Sequence, residues 1–299
     1  MVDYNPKAWF SLITHTYSRH VMRTLMPVLL FMAVYSAMCC YVILDLFRLH
    51  EKDFKSTIAM HSLLGIVLGL FLVFRTNSAY DRWWEGRKIW GLMVNNTRNF
   101  SMKLNAFLPK EDLENRTYFG RMIPNFVVAV KEHLRKGVNI NSLDIVDSNF
   151  VERLRNVKHV PNKISGMMYD RINELYSKKV ITGDHLLLLD RELKEFSDIL
   201  GGCERIKNTP IPYSYSMYIK KFIFIYIITL PFGFVTETEY ITVPIVVLIS
   251  FVIFSVELIA EEIEDPFGKD INDLPTDELS IKIRENVHEI LLDQSATRV

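Results

Sequence analysis

Cysteine is scarce in this chain. Of 299 residues only three are cysteine, with Cys39 and Cys40 adjacent in an apolar run and Cys203 alone. No disulfide framework and no thiolate metal spacing can be built from that set, and cysteines inside apolar sequence serve as small packing residues. A glycine-rich phosphate loop, an alternating strand pattern and an internal repeat are also missing. So are a Ser/His/Asp order, a paired-histidine motif and a His/Glu metal helix. His133, His159 and His185 stand singly in helical or loop context. These absences argue against hydrolytic, nucleotide-binding and zinc-enzyme chemistry. The net charge is zero, so the total points to no polyanionic partner, and nucleic acid is not expected. The first 24 residues hold charges and aromatics rather than a short cleavable apolar region. The expectation is a protein of an inner or plasma membrane, inserted by its first spanning helix.

Long apolar runs, by contrast, are abundant. Hydrophobic residues make up 49 %, an ordinary share, but they are segregated into four runs. Leu25–Leu44 has twenty uncharged residues, which as a helix span about 30 Å, the hydrocarbon thickness of a bilayer. Thr57–Phe74 has eighteen, with only His61 titratable. Phe222–Val235 is short for a span at fourteen; the preceding SYSMYIKK extends it if Lys220 and Lys221 snorkel to the interface. Ile241–Val256 is the fourth, with Pro244 inside it and Glu257 at its inner end. TETEY, at 236–240, reads as a tight polar turn between the last two. A hairpin that re-enters without crossing is the alternative for that pair.

The expected fold is therefore an all-α membrane protein with four transmembrane helices and a helical cytosolic region. Its segments are an interfacial stretch at 1–24, two membrane helices at 25–74, a cytosolic helical region at 75–212, two further membrane helices at 213–260 and an acidic cytosolic segment at 261–299. Helical periodicity in the long region predicts helices over Ala79–Phe100, Glu111–Lys136 (kinked at Pro124, stopped by Gly137), Pro161–Lys179 and Asp184–Leu200, the last closed by Gly201-Gly202. Asn139–Val160 reads as irregular. From Arg75 to Pro212 there are 23 basic and 17 acidic residues, and from Glu257 to Val299 there are 4 and 12. Such complementary blocks predict docking, within or between subunits. The basic long region belongs in the cytoplasm by the positive-inside rule, with both termini there too. Arg48, Lys52 and Lys55 in the first link then lie outside, a mild violation.

The organising stretch is His61–Gly91, read as one helix or two nearly continuous ones leaving a membrane for water. Gly65 and Gly69 permit close helix approach, either around a pore or in plain packing. His61 is ionisable inside a span, which makes it a functional candidate, and in the channel reading below it stands at the outer pore mouth. The dense mix of charges and tryptophans from Arg75 to Trp90 is expected to hold subunits in register. At the inner end of the fourth run Glu257, Glu261, Glu262, Glu264 and Asp265 crowd together, followed by Asp270, Asn272, Asp273 and Asp277 in a loop. Oxygen donors suit a hard cation, but calcium-loop spacing is absent. Docking of this acidic surface on the basic region is the favoured reading.

Three motifs in order, GIVLGLFLVFRTNSAYDRWWEGRKIWG, GGCERIKNTPIPYSY and EDPFGKDINDLP, resemble the bestrophin family in its bacterial branch. The resemblance covers nearly the whole chain. It implies a homopentameric ion channel in the lipid bilayer, not an enzyme, with one pore on the fivefold axis. It implies passage of monovalent ions, chloride foremost, with a sodium-selective channel of the same architecture as the alternative. A membrane-anchored scaffold without transport is the alternative from another class. The family's apolar neck falls on Ser62, Ile66 and Leu70, and spacing agrees, since i, i+4 and i+8 share one stripe of a helix. Ser62 departs from the usual apolar residue, which would wet the outer neck. A second, cytosolic constriction falls on Leu186, with Ile181 behind it. Of the family's calcium clasp, Pro266-Phe267-Gly268 is kept and Asp270 and Asp273 occupy two liganding positions. Lys269, Ile271 and Asn272 interrupt the acidic run. No cofactor is therefore required, and calcium or another divalent cation at Asp270 and Asp273 is an optional addition.

Overall fold

Apolar runs too long for a water-soluble helix dictate the first half of the architecture. A computed structural model describes residues 16–48 and 58–292, which among themselves form helices and turns and no strand. The expectations for 1–15, for the charged link at 49–57 and for 293–299 lie outside the described residues. The chain divides into two units. One comprises residues up to Trp83, Pro210–Asp265 and Asp270–Asn272; the other comprises Trp84–Thr209, Pro266–Lys269 and the residues from Asp273 on.

In the first unit, α1 runs over Thr16–Cys40 and passes into a π-helical turn at Tyr41–Leu46. The interfacial segment expected up to residue 24 thus ends, from Thr16 on, as part of this helix. Helix α2 covers Ile58–Phe107. It has no internal proline, and at 1.5 Å per residue its fifty residues measure about 75 Å. The organising stretch is therefore one helix, not two. Helices α7 (Tyr213–Thr238) and α8 (Thr242–Glu264) complete the unit. The tight turn expected over TETEY falls on its second half: Thr236–Thr238 finish α7, and a single 3-10 turn at Glu239–Ile241 reverses the chain. Glu239 adopts φ 50° there, and Thr238 and Thr242 join their hydroxyls across the turn at 2.8 Å. Pro244 stands in the first turn of α8, where a missing N–H is harmless.

Three stretches are long and apolar enough to cross a membrane, by length and composition: His20–Leu46, Ile58–Phe107 and Tyr213–Glu264. The third contains both α7 and α8. Leu68 and Leu72 of α2, one turn apart, are buried with Met32, Ile223, Ile227, Leu230 and Val246 in one apolar cluster.

Below that cluster sits Arg75, 1 % exposed. A guanidinium so buried must be paired. Its Nη2 lies 2.7 Å from Glu264 Oε2 and its Nε 3.6 Å from Glu257 Oε1. Glu264 gathers the surrounding donors as well. The Ile211 N–H donates to its other carboxylate oxygen at 3.0 Å, and Arg82 Nε to its backbone carbonyl at 3.0 Å. The Trp83 indole N–H donates to the Asn272 carbonyl at 2.9 Å, and the Asn272 amide to Glu262 at 2.7 Å. The charge and tryptophan density that suggested contacts between subunits is thus used within the chain, at least at Arg75, Arg82 and Trp83.

The second unit holds the rest of α2 with α3 (Leu113–Arg135), the short α4 (Phe150–Leu154), α5 (Val160–Ser177), α6 (Gly183–Asn208) and α9 (Thr276–Leu291). Its core stacks Phe100, Phe119, Phe126 and Phe196 in edge-on and parallel pairs. Helix α3 starts on an Asp112 cap and continues past Pro124 as one helix. It stops before Gly137, whose φ of +100° only glycine adopts freely. Between Asn139 and Val160 there is only one 3-10 turn, Ile140–Ser142, besides α4. Helix α6 corrects its expected end, because it passes through Gly201-Gly202 without a break. A Cβ on Gly202 would lie 2.9 Å from Ile89 Cδ1. The glycine is there for close approach to α2, not as a stop. Glu85 of α2 pairs with Arg205 of the same α6. Burial pushes the Cys203 thiol up to about 12, so it is an inert packing group.

Here the acidic end does meet basic residues. Arg135, at the end of α3, donates to both oxygens of Asp277 at 3.0 and 2.8 Å and to the Phe267 and Gly268 carbonyls at 3.1 Å. Lys131 reaches the same carboxylate at 2.7 Å. The Arg135 hydrogen bonds, with those of Lys131, hold the Asp277 carboxyl well below the ordinary carboxylate range.

Two predictions follow from these pairings. Replacing Arg75 by Met leaves Glu257 buried without its cation and destabilises the detergent-purified protein by about 3 kcal/mol; an unchanged thermal midpoint would show that the pairing carries no weight. Asp277 is depressed in the folded state, so its contribution is full above about pH 4, the unfolded carboxyl value, and fades as pH falls toward the folded one. Asp277→Asn therefore lowers stability at pH 7 by about 1 kcal/mol, discounted for its exposure, and melting curves of the two proteins converge in acid.

Candidate functional site

Helix α2 has two unlike faces within the first unit. On one, His61, Leu68, Leu72 and Arg75 are buried. On the other, Ser62, Leu63, Ile66, Leu70, Val73 and Phe74 are exposed. Ile66 is 72 % and Leu70 56 % exposed, although both are apolar and lie in the first third of the fifty-residue α2. The sequence-expected stripe Ser62, Ile66, Leu70 is thus brought together on one line, about 6 Å per step. A contiguous apolar face of this kind calls for lipid or protein to cover it. No ionisable side chain interrupts it between Ile58 and Phe74. Ser62 supplies the one hydroxyl of the stripe.

The buried face fixes where that stripe points. Gly65 lies under Tyr226 of α7: a Cβ there would meet the phenol oxygen at 2.8 Å. Gly69 meets nothing within 4 Å. His61 does not share the exposed line with Ser62. It is turned against α7, where a Cβ on Gly233 would come within 2.8 Å of its Nδ1. Its Nε2 lies 3.3 Å from the Thr229 hydroxyl. The Thr229 hydroxyl also lies 2.9 Å from the Ile225 carbonyl. The His61 ring packs and orients α2 within the chain.

In the second unit, Ile181 is 3 % exposed, just ahead of the Thr182 cap of α6. Leu186 is half-buried on the first turns of that helix. Its neighbour Leu187, which the sequence reading passed over, is 69 % exposed. The His185 ring stacks on Phe107 at 4.0 Å, pinning the helix start. Only its distance from any apolar period marks Leu187 in the sequence: Leu186–Leu189 are four leucines in a row, and periodicity alone cannot say which faces out. Asp270 is exposed, and Asp273 is 3 % exposed.

The sequence reading also missed a convergence in this unit. His133 and His159, treated as isolated, both direct Nε2 at one oxygen of Glu204, at 2.8 and 2.7 Å. They are separated by 26 positions and sit on different helices, so no spacing motif announces them.

Comparison with known proteins adds the family. The chain is 37 % identical over 230 residues to a voltage-dependent anion channel-forming protein of Nostoc, covering 76 % of this chain and 75 % of that one. To a protein of the same description from Mesorhizobium japonicum it is 31 % identical over 272 residues, covering 91 % and 86 %. Among solved structures, two variants of a bacterial bestrophin homologue from Klebsiella pneumoniae superpose with TM-scores of 0.79 and 0.80 at 29 % and 28 % identity, covering 88 % and 90 % of this chain and 97 % and 99 % of theirs. The profile described as Bacterial/Fungal Bestrophin protein matches residues 1–289, and with an all-helical fold that agrees with those structures, this chain belongs to the bacterial bestrophin family of membrane proteins.

Proposed function

We propose that the chain forms a pentameric channel for monovalent anions, chloride among them, whose narrow neck is the Ser62, Ile66, Leu70 face of α2. One observation carries this reading: the first third of α2 packs one side into its own unit and leaves a continuous, uncharged apolar side with no partner among the described residues. Five copies around an axis turn that side into rings one helical turn apart. Rings of apolar side chains gate by dewetting, and a ring of hydroxyls at Ser62 lowers the barrier at the outer end. The names of the relatives, voltage-dependent anion channel-forming proteins, support anion passage. The reading needs no catalytic group, and the chain is a channel, not an enzyme.

Four membrane helices, α1, the first part of α2, α7 and α8, place both termini in the cytoplasm of the cell (inner) membrane. A second ring comes from the start of α6, through Leu186 backed by Ile181. Calcium or another divalent cation at Asp270 and Asp273 is no part of this mechanism, which gates on water in the neck. In this reading His61 acts as the residue that sets the rotation of α2 and not as a group meeting ions.

Purified protein in liposomes under a NaCl gradient tests the proposal. The expected reversal potential lies near the chloride equilibrium value. A value near the sodium equilibrium potential would assign a cation channel of the same architecture, and absence of flux at all voltages would leave a scaffold. Ile66→Ala and Leu70→Ala widen and wet the neck, and each is expected to raise single-channel open probability several-fold. Unchanged gating in both would mean that this face packs against protein or lipid.

A further inference from the structure

The convergence of His133, His159 and Glu204 has no part in ion passage as proposed above. Its geometry is that of a coordination site. His133 lies in the last turn of α3, His159 caps the start of α5, and Glu204 stands near the end of α6. The two imidazole Nε2 atoms lie 2.8 and 2.7 Å from the same carboxylate oxygen, and one ligand atom from each residue falls within 4.8 Å of the others. The rings stand 4.5 Å apart, tilted by 41°. All three side chains are between a quarter and a third exposed, so water reaches them. Among the described residues no other group of three such side chains converges this way.

We propose that His133, His159 and Glu204 form a binding site for a divalent transition metal such as Zn²⁺. Two imidazoles and one carboxylate are the donor set of three-ligand zinc sites, with a water in the fourth position. Nitrogen donors of this kind select zinc, cobalt or nickel over calcium and magnesium, which take oxygen. In a tetrahedral site with bonds near 2.0–2.1 Å, ligand atoms stand about 3.3 Å apart. The present spacings need only a small outward step, and each ligand is on its own helix.

Without metal, both histidines donate to Glu204. The Asn162 backbone N–H points at His159 Nδ1 at 3.3 Å, so that nitrogen is an acceptor and the proton is on Nε2. Metal on Nε2 moves the proton to Nδ1, and the neutral ring keeps one proton throughout. The Asn162 N–H then loses its acceptor. Binding thus staples α3, α5 and α6 together and loosens the first turn of α5, a combination that a plain hydrogen-bonded triad does not produce.

The test uses full-length, tag-free protein in detergent, stripped with chelator and titrated with Co²⁺ and then Zn²⁺. The expected result is a set of visible absorption bands for tetrahedral Co²⁺, lost on adding one equivalent of Zn²⁺. Zn²⁺ should also raise the melting temperature and speed amide exchange at Asn162. Glu204→Gln keeps an acceptor for both histidines, and therefore the fold, but it removes the anionic ligand and should bind Co²⁺ and Zn²⁺ far more weakly. His133→Ala should abolish the bands. No bands in the unmodified protein, or equal bands in His133→Ala, would overturn the site.

Discussion

A single cation, Arg75, decides how the membrane-directed unit is put together. It follows the apolar half of α2 by one residue and is almost wholly removed from water. Desolvating a guanidinium is so costly that the fold must bring it carboxylates, and α8 supplies two of them, Glu257 and Glu264, seven residues and two turns apart on one face. Because Glu264 also accepts from the Ile211 amide, and its carbonyl from Arg82, the inner end of α8 is held where α2 and the start of the α7 segment meet it. Rotation of α2 about its axis is no longer free. Burying Arg75 on one side is what leaves Ile66 and Leu70 on the other.

The sequence was most legible where the physics is local. Four apolar runs, their approximate limits and the all-helical middle follow from length and periodicity. The alignment of Ser62, Ile66 and Leu70 follows from 3.6 residues per turn. What was hidden depends on neighbours remote in the chain. The pair Gly201-Gly202 looks like a stop, yet Ile89 of another helix needs the space. TETEY has turn composition, but three of its residues extend α7 because that helix continues to the reversal at Glu239. The charges from Arg75 to Glu85 could be counted, but whether they serve the chain or a neighbour could not; Glu264, some 190 residues away, decides that.

The candidate site shows the same division. Which side of α2 faces outward is settled by where His61 and Leu68 are buried, and no pattern in eighteen nearly uniform apolar residues reveals that. His133, His159 and Glu204 illustrate the limit from the opposite direction. Each is an ordinary surface residue in sequence, and only the packing of three amphipathic helices around the Phe100, Phe119, Phe126 and Phe196 core sets their donor atoms on a common point.

The fit of the His61 ring over Gly233 has a consequence for how such a helix can vary. The missing side chain on α7 is what lets the imidazole come so close to that helix. The aim of Ser62 is therefore governed from the back of α2, by a residue that lies off the exposed stripe. A lineage can redirect the exposed stripe by enlarging or shrinking the seat at position 233, turning α2 like a key, while every side chain on that stripe stays the same.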